Sequence, residues 1–155
     1  MHSTLTTELF KVFCKETYCI PPMSLRAGNA IDDYAIPMPF EPEQDQVSDE
    51  YFENFHWGLS YLDPSSWRHY LPYLFQYSFR RIHGDSFVID SLLSSLRPPD
   101  RMPPRLDSLS AEQEKATRQA IEYLAFTKDS AHAEFACQVL EEWWLPNSIY
   151  RLATE

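Results

Sequence analysis

Residues 109–126 read Leu-Ser-Ala-Glu-Gln-Glu-Lys-Ala-Thr-Arg-Gln-Ala-Ile-Glu-Tyr-Leu-Ala-Phe, and this stretch decides the fold class. Ser110 with Gln113 is a capping box, in which each side chain serves an otherwise unpaired backbone donor of the other residue. Behind it Ala116, Ala120, Ile121, Leu124 and Ala125 lie on one stripe of a 3.6-residue helix. A strand would need alternation with period two, which is absent. Asp129 or Ser130 is placed to cap a next helix. In it Ala133, Ala136, Cys137, Leu140, Trp143 and Trp144 recur at helical spacing until Pro146. The link between the two is short, so they are expected to pair as an antiparallel hairpin, with a short tail helix near residues 148–152.

The same signals extend N-terminally. In Leu62-Asp63-Pro64-Ser65-Ser66-Trp67-Arg68-His69-Tyr70-Leu71-Pro72, Asp63 is an N-cap and Pro64 suits the first helical turn, where no donor is needed. Trp67, Tyr70, Leu71, Leu74, Phe75, Ser78 and Ile82 should face inward. Pro72 removes a backbone bond to Arg68, so the helix is expected to kink at Leu71 or to restart at Pro72. Ser86 to Leu96 reads as a short helix presenting Phe87, Ile89 or Asp90, Leu93 and Leu96 inward. Ser3 to Glu16 reads as a helix with Leu5, Leu9, Phe10, Val12 and Phe13 on its apolar face. Ser48 opens another, carrying Tyr51, Phe52 and Phe55 and stopping near Gly58. Residues 21–47 hold five of the twelve prolines and read as an extended acidic connection, with a weak edge strand near residues 33–38. Two Pro pairs make residues 97–108 a stiff linker. The expected fold is therefore all-α or nearly so: one domain, residues 1–155, an irregular bundle of five to seven helices with the extended acidic segment packed across it.

Composition narrows the function. A chain of 155 residues, 44% hydrophobic and 15% aromatic, can bury a core and is not a disordered sequence. The formal charge of -10 argues against a duplex nucleic-acid partner, which requires a basic surface. No apolar run approaches a membrane span. The N-terminus lacks the basic and apolar regions of a secretory signal, so a cytoplasmic location is expected. Cys14, Cys19 and Cys137 form no disulfide or zinc pattern and are expected as buried small apolar side chains.

Charge is unevenly distributed. Residues 27–67 carry nine acids and no Lys or Arg, whereas residues 68–106 carry six Arg and three Asp. Asp32, Asp33, Glu41, Glu43, Asp45, Asp49, Glu50 and Glu53 are therefore candidate contacts for a basic protein partner. The competing reading pairs these acids internally with Arg68, Arg80, Arg81, Arg97, Arg101 and Arg105. Glu141 and Glu142 read as solvated acids beside the aromatic end of their helix.

Catalytic signatures are missing. Gly-x-Ser-x-Gly, Gly-x-Gly-x-x-Gly, the phosphate-binding Gly-x-x-x-x-Gly-Lys and His-Glu-x-x-His do not occur, so no cofactor and no metal are expected. A scattered site around His56, Asp63, His69 and Tyr70 is the remaining enzymatic alternative.

The segment from Leu62 to Pro72 and the later Leu109-Ser110-Ala111-Glu112-Gln113 helix, with Tyr123-Leu124-Ala125-Phe126, resemble a family of small uncharacterised bacterial cytosolic domains. The resemblance spans residues 48–127 and leaves the N-terminal 45 residues outside. It implies a helical fold in which Asp63, Pro64, Trp67, Tyr70, Leu71 and Pro72 are architectural, and it implies no activity. Together these readings lead to a non-enzymatic acidic binding protein, an inhibitor or immunity-type partner of a basic protein, with a homo-oligomeric scaffold as the alternative.

Overall fold

Five of the described helices begin where a short polar side chain stands three residues before an unpaired backbone donor. Ser24, Ser48, Asp63, Ser86 and Ser110 accept from the N–H groups of Ala27, Tyr51, Ser66, Ile89 and Gln113 at 3.0–3.3 Å. Each such cap contributes about 1 kcal/mol. Gln113 Oε1 accepts in return from the Ser110 N–H at 3.0 Å, which completes the capping box.

The computed structural model describes residues 2–99 and 104–152 and shows an all-α protein, with no strand among the described residues. In chain order the helices are α1 (His2–Val12), α2 (Cys14–Tyr18), α3 (Leu25–Asp32), α4 (Asp49–Phe55), α5 (Pro64–Arg80), α6 (Phe87–Ser95), α7 (Ala111–Phe126), α8 (Ala133–Val139) and α9 (Ile149–Leu152). Tighter 3-10 turns occupy His56–Tyr61 and Leu106–Ser108, and a π turn occupies Leu140–Trp144. No described helix is long and apolar enough to cross a membrane.

Helix α5 forms the centre. Its Trp67, Tyr70, Leu71, Leu74 and Phe75 are buried, and the Trp67 indole N–H donates to Ser95 Oγ at 3.1 Å. Helices α1, α2, α6 and α7 pack against α5, and α8 pairs with α7 as expected. The N-terminal segment is tied to the start of α7 by Gln113, whose side chain donates to the Val12 carbonyl and to Glu16 Oε1.

Several expectations need correction. Helix α5 runs unbroken past the buried Pro72, so it does not restart there. There are more helical segments than five to seven, and they are shorter: the first helix breaks at Phe13, and residues 21–47 contain α3. That helix was hidden because Gly28, Asn29 and Asp32 are poor helix formers. Gly58 does not stop a helix but lies inside a 3-10 turn. Phe87 points outward, and Val88, Ile89, Leu92, Leu93 and Leu96 take the core positions. Neither Asp129 nor Ser130 is an N-cap: Asp129 sits in the left-handed region at φ 59°, and α8 begins after His132. Cys14 and Cys19 are exposed. Glu142 is buried rather than solvated, because Arg97 grips its carboxylate with two bonds of 2.9 and 3.2 Å. Of the proposed 97–108 linker, residues 100–103 lie outside the described residues.

One close approach governs the N-terminal half. Helix α3 crosses the His56–Tyr61 turn with Gly28 against Gly58. A Cβ on Gly58 would lie 2.3 Å from the Leu25 carbonyl oxygen and 2.4 Å from the Asn29 nitrogen. One on Gly28 would lie 2.5 Å from the Gly58 oxygen. Only glycine permits two backbones to meet at that distance.

Candidate docking face

Residues 33–48 link α3 to α4 and form an ordered ribbon. Tyr34 ends α3 in the left-handed region at φ 58°, and the Ala35 N–H reaches back to the Ala30 carbonyl at 2.7 Å. The chain then runs through Ala35-Ile36-Pro37-Met38-Pro39 with every side chain exposed; Tyr34 is 100%, Ile36 80% and Met38 52% accessible.

A buried clamp catches the far end. Arg26, from α3, donates to both Asp45 oxygens at 3.0 Å and to the Pro39 carbonyl at 3.3 Å. Asp45 also accepts from the Tyr51 hydroxyl at 2.9 Å and the Glu41 N–H at 2.8 Å. The hydroxyls of Tyr51 and Tyr70 accept from the Arg26 and Leu25 N–H groups at 3.1 Å, so two tyrosines satisfy the first donors of α3. Ser66 Oγ accepts from the Met23 N–H at 2.9 Å and ties the approach to α3 onto α5.

The candidate acids therefore divide. Asp45 is buried, saturated with donors and removed from any docking face. Asp49 is held by Arg80 (2.9 and 3.1 Å) and Arg81 (3.1 Å), with Glu53 3.9 Å from Arg81. Asp32 accepts from the Tyr61 hydroxyl and Asp33 from the Asn29 amide. Glu41, Glu43 and Glu50 remain exposed. Among the described residues, Asp49 and Glu53 of these acids thus pair with the Arg-rich third. Arg68 pairs with Glu16, Arg97 with Glu142, and Arg105 donates to the Leu59 carbonyl; Arg101 lies outside the described residues. Arg26, which holds Asp45, escaped the charge reading because it sits one residue before the acidic block.

The residues of the enzymatic alternative have separate partners. His56 Nδ1 bonds Ser91 Oγ at 2.8 Å, Asp63 accepts from Ser66, His69 Nδ1 bonds the Glu16 carbonyl at 2.7 Å, and Tyr70 serves α3. No group of three or more His, Cys, Asp or Glu among the described residues is arranged to hold a metal ion.

These contacts set the response to acid. Burial pushes the Asp45 carboxyl up, but bonds from Arg26, the Glu41 N–H and Tyr51 outweigh it and hold it below the ordinary 3.8. Arg80, then Arg81, hold Asp49 below the same value despite partial burial. Burial holds His56 and His69 below the ordinary 6.5. A depressed histidine stabilises the fold fully above its unfolded value and loses that contribution as pH falls below it. A depressed carboxylate does the same around its own, lower value. Urea unfolding should therefore show stability declining first below about pH 6.5 and again below about pH 4. A flat profile between neutrality and about pH 3 would contradict the contacts described.

A family model described as a family of unknown function (DUF6714) matches residues 1–148. The match takes in the N-terminal residues that the sequence resemblance left out. No curated protein matches the chain, and no solved structure matches it.

Proposed function

Because the chain belongs to this family of unknown function, no activity passes to it from relatives, and we propose from its own residues that it is a non-enzymatic binding protein that docks a basic protein. The finer reading is an inhibitor or immunity-type partner in the bacterial cytoplasm. The observation that carries the proposal is the ribbon at residues 34–39. Its far end is clamped by a buried ion pair, while Tyr34 and Ile36 bury little within the chain and Met38 only about half of its surface. A tyrosine in the left-handed region costs on the order of 1 kcal/mol where glycine would cost little, and this one recovers nothing by packing at home. Glu41 and Glu43, just beyond the ribbon, supply charge complementary to a basic surface.

The test compares the wild-type chain with a variant carrying Tyr34→Ser, Ile36→Ser and Met38→Ser, which should fold normally because all three side chains are exposed. Wild type should retain a basic protein that the variant loses. The complex should re-form from the two purified proteins with an on-rate that falls steeply as salt rises. A retained protein indifferent to the ribbon, or retention only of further copies of this chain, would overturn the proposal; the second outcome would establish the homo-oligomeric alternative.

A further inference from the structure

Beside the acidic ribbon, the His56–Tyr61 turn and α6 enclose a cleft of about 390 Å³. Its rims are Trp57 and Phe87, 52% and 76% exposed. Phe87 opens α6 at a position where an apolar side chain packs against little of its own chain. Asp32 and Asp90 line the same cleft, and the Tyr61 hydroxyl orients Asp32 at 3.0 Å. Asp90 stands exposed in the first turn of α6.

We propose that this cleft receives an arginine side chain of the basic protein partner, its guanidinium stacked on Trp57 and paired with Asp90 and Asp32. The inference rests on the docking function above and names the chemistry of one contact. Aromatic faces attract cations through the ring quadrupole, and the attraction adds to that of nearby carboxylates. A planar guanidinium stacks on an indole and bridges a carboxylate with two bonds, which an ammonium cannot do. The volume lies at the small end of ligand pockets and readily admits one long side chain.

Among the described residues, the cationic groups lining the cleft are already engaged. Arg105 lines the cleft, but it is buried, donates to the Leu59 carbonyl at 3.1 Å and lies over the Trp67 ring. His56 stacks on Trp57 with centroids 3.8 Å apart and is bonded to Ser91 Oγ, and burial favours its neutral form. Among the described residues, two carboxylates thus line the cleft with one internally engaged arginine.

The test uses N-acetyl-arginine methylamide as probe and the corresponding citrulline compound as its neutral isostere, titrated into the full chain and followed by amide and indole NMR. Saturable shifts are expected at the Trp57 indole and along residues 87–91. Citrulline should bind about fivefold or more weakly, Asp90→Asn should weaken arginine binding about fivefold, and Trp57→Ala should abolish it. Equal binding of the two probes, shifts scattered away from the cleft, or no saturable shift would overturn the proposal. Arginine binding with an inert ribbon would remove the partner reading and keep the cleft; a working ribbon with no arginine binding would remove only the cleft.

Discussion

Gly58→Ala is expected to lower the melting temperature by about 10 °C. The added methyl would lie 2.3 and 2.4 Å from backbone atoms of α3, and backbone in a packed crossing has no rotamer with which to give way. The two segments must separate, which opens the most heavily packed contact of the N-terminal half. Overpacking of this kind costs on the order of 3 kcal/mol, and in a chain of this size each kcal/mol moves the midpoint by about 2–4 °C. Gly28→Ala should behave similarly. Gly84→Ala is the internal control, because a Cβ there meets nothing within 4 Å. Thermal melts of the three variants decide the matter: a Gly58→Ala protein that melts like Gly84→Ala would show that the crossing relaxes without cost.

Asp45→Ala should have an effect of comparable size by a different route. Its carboxylate is wholly buried and accepts four bonds, from Arg26, Tyr51 and the Glu41 N–H. Truncation strands the Arg26 guanidinium, which is only 19% exposed, without its counter-charge. Removing one partner of a buried pair typically costs about 3–5 kcal/mol, and residual hydration of Arg26 places this case near 3 kcal/mol. The variant carrying Glu41→Gln, Glu43→Gln and Glu50→Gln should melt within about 2 °C of wild type, since exposed charges contribute little to stability. Urea unfolding separates the two sets. Equal destabilisation by both would mean that the ribbon is held by its whole acidic character rather than by one clamp.

That contrast also marks how far the sequence could be read. Capping residues at Ser48, Asp63, Ser86 and Ser110 declared helix starts because an N-cap acts locally, within three residues, and a local rule is visible in a linear string. The apolar stripes of α5 and α7 were legible for the same reason. Helix α3 was not: its residues are intrinsically weak helix formers, and its stability comes from Tyr51 and Tyr70, which lie 25 and 45 residues away from the donors they serve. Ion pairing was the least legible property. Counting charges by segment set the acidic block against the arginines that follow it, whereas the deepest pair joins Asp45 to Arg26, just outside the block. The ribbon proposed for docking was visible as a Pro-rich acidic connection, but the exposure of Tyr34, Ile36 and Met38 emerges only once the clamp fixes its path. The cleft at Trp57 and Phe87 joins residues from a 3-10 turn and a helix start that no spacing rule connects.

The hydrogen bonds from Gln113 to Val12 and Glu16 carry a consequence for the order in which the protein is made. They close a loop of 101 and 97 residues respectively, and α1 has its main partner in α7. During synthesis α1 emerges before α7 and must wait until α7 has been translated before Leu9 and Phe13 can be covered from that side. At elongation rates of about 5–20 residues per second this interval is on the order of 5–20 s. The α3 crossing and the α4–α5 region can form in that time from nearby segments. Helix α1 can pack against α5 earlier, but its cover from α7 comes late, and until then the face that α7 covers is the surface a nascent-chain chaperone would meet.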